Sequence, residues 1–324
     1  MPDDRAYFGA IDLGGTKLLS IVATADGQVL ARDRRPSETS HGLESCLARM
    51  EASLRAALAG AGLSLGQLRA VGIASPGAVD VARGIVPDAP QLPGWRDVPL
   101  RDLMAERLGL PVAVENDATA AAIGEHVFGA GRGSRYMLFL TISTGIGGGI
   151  IIDGRPYHGK SGAAGEMGHV VVLADGPLCG CGTRGCLEAL SSGTAIARQA
   201  RELLARGKAP GLAHLLEDGE APTARLVAEA AARGDADCLA LLAQAGRYLG
   251  IALAGYVNIF DPELVVLGGG VVQAGEAFLA PARENMYALA LAQPRRGLRL
   301  ATGELGDEAG ALGMIATLSA RYGA

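Results

Sequence analysis

The 324-residue chain has no uninterrupted apolar run of the ~18 residues a membrane span needs. Its first stretch, MPDDRAYFGAIDLGG, carries acids near the start and no apolar h-region, so a secretory signal is not expected. Lysine and arginine form no block, and the net charge of −5 offers no electrostatic footprint for nucleic acid. These absences point to a soluble, cytoplasmic protein with neither membrane nor nucleic-acid partner. Cysteines number only five, and in a reducing compartment a disulfide framework is disfavoured. No low-complexity linker divides the chain. The 48 glycines cluster at a few points without a fixed period, which excludes collagen-like and linker readings. What remains is globular, 49% hydrophobic and 19% charged, and long enough for two domains of ordinary size.

One pattern occurs twice. YFGAIDLGGTKLLSIVATADGQVLARDRR near the start and YMLFLTISTGIGGGIIIDGRPYHG near the middle each run strand, Gly-rich turn, strand, Asp-Gly turn, strand. Each predicts a three-stranded meander, and the repetition suggests two related domains. Between them the pattern predicts a helix over 42–61, a buried strand at 70–75, a short helix near 99–109 and a strand at 112–116. Downstream it predicts helices over 190–206 and 221–258, a strand at 264–270, and a last helix after the loop 303–313. Strands interleaved with helices make the fold α/β. The polar, Gly- and Pro-rich interval 76–99, holding the only tryptophan, Trp95, is expected to be a mobile loop. A hinge is expected near 117–122.

A Gly-rich turn between strands exposes backbone N–H groups that can hold phosphate oxygens, although such a turn can equally be only a hairpin. Company favours phosphate: Asp12 precedes the first turn, Thr16 and Lys17 follow it, and Thr144 sits in the second. A dinucleotide fingerprint fits less well, because the second turn is followed by a strand-like IIID rather than a helix. In VENDATAAAIGEHVFGAG, residues 114–131, a strand delivers Asn116 and Asp117 to the start of a helix. Both are good caps, and a carboxylate there can also accept a hydroxyl proton during phosphoryl transfer. CGCGTRGC, residues 179–186, holds three of the five cysteines, with His169 ten residues upstream. His169, Cys179, Cys181 and Cys186 suit a closed tetrahedral zinc site, while a redox or packing role stays open. The spacings are C-x-C and C-x₄-C, so no C-x-x-C redox pair occurs. Cys46 and Cys238 read as core residues, and His41, His126, His158 and His214 have no ligand spacing.

The motifs DLGGTK, SPG, END, TGIGGG, GEMGH, CGCGTRGCLE and LGGGV, in this order across residues 12–271, resemble those of the ROK family of bacterial sugar kinases, related repressors and open reading frames. The resemblance implies an actin-like (ribonuclease H-like, ASKHA) ATPase fold of two lobes with a central cleft. The small lobe would comprise residues 1–120 with the C-terminal helix 303–324 packed back on it. The large lobe, 121–302, would carry the zinc loop. Asp12, Gly14, Gly15, Thr16 and Lys17, with Thr144, Gly145, Gly147 and the glycines to Gly149, would hold the phosphates of Mg·ATP. Gly268, Gly269 and Gly270 would lie against the adenosine. Gly77, Asn116, Asp117, Glu166, His169 and Glu188 would hold the sugar, with Asp117 as catalytic base and His169 also binding structural Zn²⁺.

By the same resemblance the reaction is transfer of the γ-phosphoryl group to the 6-hydroxyl of a hexose, glucose first, in a homodimer. N-acetylglucosamine or N-acetylmannosamine is the alternative substrate. Thr119 stands where many members have Asn, and Ser143 where Gly is frequent; Ser143 bears on the approach to the phosphates. A sugar-responsive repressor is the reading of another class, disfavoured because only eleven residues precede Asp12, too few for a DNA-binding helix-turn-helix.

Overall fold

The structure, a computed structural model, describes residues 6–89, 92–217 and 219–323. The chain opens with strands β1 (Tyr7–Leu13), β2 (Lys17–Thr24) and β3 (Val29–Pro36), then helix α1 (Leu43–Ala61). β4 (Leu68–Ser75), β5 (Ala78–Asp80), β6 (Ile85–Asp88) and β7 (Arg96–Val98) follow, with α2 (Leu100–Leu108), β8 (Val112–Asn116) and α3 (Asp117–Phe128). The second half has β9 (Met137–Ile142), β10 (Ile146–Ile152) and β11 (Arg155–Pro156). After these come α4 (Leu187–Ser191), α5 (Gly193–Ala205), α6 (Pro210–Leu215), α7 (Ala224–Ala232) and α8 (Ala236–Phe260). β12 (Leu264–Gly268), α9 (Glu276–Leu289), β13 (Arg299–Thr302) and α10 (Ala309–Tyr322) complete it.

Two compact units result: residues 1–135, 149–165 and 303–324 form the first, and 136–148 with 166–302 the second. The boundary expected at 120 falls inside α3, which cannot be divided because it packs along α10 of the same unit. The segment 149–165 also returns to the first unit, and the chain changes units within β10.

In the first unit the sheet order is β3-β2-β1-β4-β8, with β1–β2 and β2–β3 antiparallel and β1–β4 and β4–β8 parallel. β1 and β4 are covered on both faces and read as nearly continuous apolar runs. One face packs on α1 and α2 through Leu47, Met50, Leu54, Leu100 and Met104, and the other on α10 through Met314, Ile315 and Leu318. The interval 76–99 is not a loop: β5, β6 and β7 form a three-stranded sheet, and Val79, Val86, Val98 and Trp95, 2% exposed, belong to the core. Residues 90 and 91 of that interval lie outside the described residues.

α3 and α10 cross with their backbones in contact. A Cβ on Gly313 would stand 1.7 Å from the Ala120 carbonyl oxygen, and one on Gly124 would stand 2.2 Å from that of Ala309. Glu125, 1% exposed, completes the joint: its carboxylate accepts the backbone N–H groups of Ala130, Glu304 and Leu305, tying the end of α3 to the chain entering α10.

The second sheet has the order β11-β10-β9-β12-β13, with β9, β12 and β13 parallel. The helices of the second unit are shorter than expected. The run 221–258 breaks at Gly234, which takes φ +93, and Asp235 then caps α8 by accepting the N–H of Cys238. The run 190–206 breaks at Ser192, whose hydroxyl caps α5. The last helix begins at Ala309, inside the expected loop 303–313, and the strand at 264 ends at Gly268.

α8 is long and apolar enough by composition to cross a membrane. Here Leu242, Leu249, Leu253 and Val257 are fully buried, and Gly246 and Gly250 let the backbone of α9 come close. Burial in a helical layer accounts for its composition.

The α3–α10 crossing predicts that Gly313→Ala destabilises by about 2–4 kcal/mol, since the helices must part to admit the methyl group. Gly255→Ala in α8, where a Cβ meets no neighbour, should be neutral or slightly stabilising. Urea unfolding of both variants checks this; equal effects would refute the crossing as a packing constraint.

Candidate active site

The register of the first sheet aligns three strand ends. Asp12 pairs with Ala74, and Ser75 with Asn116, so Asp12, the Ser75–Gly77 turn and Asn116 lie at the carboxyl edge of parallel β1, β4 and β8. That edge is where α/β sheets hold ligands, because the connections leave it open. Asn116 caps α3: its Oδ1 accepts the Thr119 N–H at 2.9 Å, and its Nδ2 donates to Gly77 O at 2.9 Å and to Asp117 Oδ1 at 3.1 Å. Asp117 Oδ1 also accepts the Ala118 N–H. The carboxylate is thus oriented by its neighbours on the chain. Gly14, Gly15, Thr16 and Lys17 form the β1–β2 turn, closed by Gly14 N–H on Lys17 O at 2.8 Å, with Gly15 to Lys17 exposed.

Asp12 is held at about 7, far above an ordinary aspartate, first by burial and then by the charges of Asp117 and Asp307. Asp307 was not singled out from the sequence, where GDEAG carries no ligand-like spacing. Gly310 lets α10 begin against Asp12, since a Cβ there would stand 2.7 Å from its Oδ2.

In the second unit the Gly-rich turn spans Ser143–Gly145, closed by Ser143 N–H on Gly145 O, with Ser143 and Thr144 exposed. The start of α5 holds it: Gly193 N–H donates to Ser143 O, and Thr194 Oγ1 to Thr144 O. Gly147 lies in strand β10 beyond the turn, as do Gly148 and Gly149, which are buried; Gly149 packs on α3, where a Cβ would meet Ala122 at 2.4 Å. Exposed turn N–H groups are therefore fewer than the motif suggests. Gly268 pairs with Thr141 of β9, and two residues on Gly270 lines a cavity of about 320 Å³ bounded by Arg225 and Glu229 of α7 and by Val271 and Gln273, which neither Gly268 nor Gly269 lines.

Glu188 spans two features of this unit. Its Oε2 accepts the Ile146 N–H at 2.9 Å, and its Oε1 lies 3.8 Å from Cys179 Sγ. Glu166 precedes the single turn Met167–His169, and its carboxylate stands 3.8 Å from His169 Nε2. Buried Tyr256 of α8 donates its hydroxyl to Met167 O, fixing the turn from behind. No local pattern in the sequence pairs Tyr256 with residues so far upstream.

His169, Cys179, Cys181 and Cys186 converge, each offering one ligand atom, all within 4.8 Å of one another. His169 Nδ1 is 3.6 Å from Cys179 Sγ, and Cys181 Sγ is 3.7 Å from Cys186 Sγ. A tetrahedral zinc with bonds of about 2.0–2.3 Å separates its ligands by about 3.5–3.8 Å, so the set fits that ion and is too open for a disulfide. Cys179 N–H on Thr183 O and Gly182 N–H on Cys179 O fold the loop into a knuckle. The Thr183 backbone draws the exposed Cys181 thiol down to about 7, whereas burial raises Cys179 and pushes Cys186 up to about 12. Burial thus keeps Cys179 and Cys186 as neutral thiols on their own, and a bound zinc would hold all three sulfurs as thiolates. Cys46 and Cys238 are buried in the core, 1% and 0% exposed.

The site residues fall into two groups, one per unit, as two related halves would place them. A model of the ROK family matches residues 8–321. The chain belongs to the ROK family. It is 37% identical to a glucokinase of Thermotoga maritima over 97% of both chains. The structure of a ROK family glucokinase from Streptomyces griseus, in complex with glucose and AMPPNP, superposes with a TM-score of 0.84 at 36% identity, covering 98% of this chain and all of that one. A xylose repressor of Bacillus subtilis is 35% identical over 75% of this chain but only 59% of its own length. The two-domain ASKHA fold expected from the motifs is that of the family, with two mixed five-stranded sheets.

Two outcomes follow from the electrostatics. Asp12 is neutral at low pH in both folded and unfolded chains, and its raised folded value makes the charged form unfavourable as pH rises from 3.8 through about 7. Without nucleotide, Asp12→Asn should therefore be more stable than wild type at pH 8, by about 1–3 kcal/mol after solvent screening, and the gap should close by pH 4. Denaturant unfolding at both pH values decides; a less stable variant at pH 8 would contradict the assignment. For the cluster, purified protein should hold about one zinc per chain by elemental analysis, and Cys181→Ser should lose most of it. Unchanged zinc content in that variant would remove Cys181 from the ligand set.

Proposed function

We propose that the chain is an ATP-dependent glucokinase that transfers the γ-phosphoryl group to the 6-hydroxyl of glucose. What carries the reading is Asp117, at the carboxyl edge of the parallel strands and oriented by Asn116, in a chain near 37% identical to glucokinases over almost its whole length. Glucose and an ATP analogue bound in the Streptomyces griseus relative support both substrates.

On this reading Asn116, Asp117 and the Gly77 turn, with Glu166, His169 and Glu188, hold the sugar hydroxyls. The Gly14–Lys17 and Thr144–Gly145 turns offer exposed N–H groups and hydroxyls to the phosphates, and the cavity beside Gly270 takes the adenosine. Asp117 accepts the proton of the attacking hydroxyl while the turns stabilise charge on the transferred group. Mg²⁺ bound with the nucleotide would be held near Asp12 and would neutralise phosphate charge. His169, Cys179, Cys181 and Cys186 would hold zinc with no position left open, and the ion would have a structural part, fixing the ring of His169, whose Nε2 faces Glu166. The enzyme would work in the cytoplasm, where these thiols stay reduced.

ATP-dependent phosphorylation of glucose, mannose, fructose, N-acetylglucosamine and N-acetylmannosamine tests the reading. Glucose should be preferred, and Asp117→Asn should lower kcat by a factor on the order of 10²–10⁴ with fold and zinc retained. Preference for an N-acetyl sugar would overturn the substrate. Absence of turnover with every sugar would overturn the kinase and favour a sugar-responsive regulator.

A further inference from the structure

Beside the candidate site lies a pair that the reaction described above does not use. His158 Nε2 is 2.7 Å from Glu115 Oε2, and the Glu115 side chain is 4% exposed. A buried carboxylate with a single charged partner is costly unless both its oxygens are bonded. The second oxygen is bonded: Glu115 Oε1 accepts the backbone N–H of Asn116 at 2.9 Å. From Asn116 the hydrogen bonds continue to Gly77 O, to the Thr119 N–H and to Asp117 Oδ1. One connected set therefore runs from the His158 ring to the proposed base. The hydrogen bond to Glu115 also raises the His158 imidazole above its ordinary value, against the opposing effect of burial, and so favours the charged ring.

The loop bearing His158 is well anchored. The Ala164 N–H closes it on His158 O at 3.2 Å. Gly162, at φ +77, lies against β5, where a Cβ would stand 2.0 Å from Val79 O. A ring so placed can hold a carboxylate in one orientation rather than follow it.

We propose that His158 is a positioning residue for phosphoryl transfer: by fixing Glu115 it sets the Asn116 backbone and, through it, the direction in which Asp117 faces the sugar hydroxyl. The inference rests on the kinase reading. Loss of the ring removes the partner that holds Glu115 Oε2, and the carboxylate can then turn, releasing Asn116. Because the displaced group is the base rather than the nucleotide turns, the change should fall on kcat.

The test is steady-state kinetics of full-length wild type, His158→Ala, His158→Gln, Glu115→Gln and the double variant His158→Ala/Glu115→Gln, each checked for melting temperature and zinc content. Expected is a fall in kcat on the order of tenfold for His158→Ala, with KM for ATP changed less than about twofold. Partial recovery is expected in His158→Gln, which keeps an N–H donor. The double variant should be no slower than the worse single one, because the two residues act in series. A kcat within about twofold of wild type in both folded His158 variants, whatever their melting temperature, would reduce the pair to a structural ion pair and overturn the proposal. So would a loss confined to KM. If His158→Ala does not fold, His158→Gln and Glu115→Gln decide by the same criteria. Wild-type turnover separates the two claims: without it the kinase reading and this proposal both fall, and with it a null effect removes only His158.

Discussion

The first unit depends on two helix backbones touching. α3 and α10 meet at Gly124 and Gly313, where no side chain larger than hydrogen fits between them. This contact gathers residues almost two hundred positions apart. Because α3 begins at Asp117, its placement against α10 determines where that carboxylate stands relative to Asp12 at the end of β1. Because α10 begins beside Gly310, the same contact brings the chain start of that helix against Asp12 itself. Glu125 locks the far end by accepting three backbone N–H groups, those of Ala130, Glu304 and Leu305.

What the crossing assembles is electrostatically unfavourable by itself. Burial first, and then the charges of Asp117 and Asp307, raise Asp12 until it holds its proton near neutrality. A buried acid so placed lowers stability at neutral pH, which accords with the proposed role of this edge in binding. Under the proposed reading the compensating charge arrives with the substrate: a divalent cation carried by a polyphosphate would favour the charged form of Asp12. The stabilising joint at Gly124–Gly313 and the destabilising acids at its edge belong together, since only a rigid frame holds like charges close.

The second unit solves a different problem, the rigidity of a loop. Residues 166–186 include few apolar side chains directed inward, and hydrophobic packing cannot fix them. Three devices replace it: the cysteine–histidine cluster, the Tyr256 hydroxyl on Met167 O, and Glu188, whose two oxygens face the Ile146 N–H and Cys179. Glu188 thereby links the Gly-rich turn to the knuckle, so a change in the cluster is carried to the turn as well as to the loop.

Fold class was legible, and so were most groups of the candidate site, because they rest on local chemistry. Asp-Gly hairpins, an Asn cap before an alanine-rich helix, and C-x-C with C-x₄-C all announce themselves within a few residues. Helix ends in the second half were also written locally, in Gly234-Asp235 and Ser192, but a long apolar period masked them: continuous hydrophobicity outweighed a single breaker until the caps were seen to be made. The interval 76–99 misled for the opposite reason. Its prolines and glycines are turn residues between short strands, and the apolar Val79, Val86, Trp95 and Val98 alternate too briefly to declare a sheet. Glu115–His158, Asp307 and Tyr256 could not be read at all. Each makes its contact across tens of residues or more, and a histidine without ligand spacing looks the same whether it is idle or paired to a buried acid. The burial of Glu115 separates the two cases: a carboxylate 4% exposed needs a partner, and the His158 ring stands 2.7 Å from it.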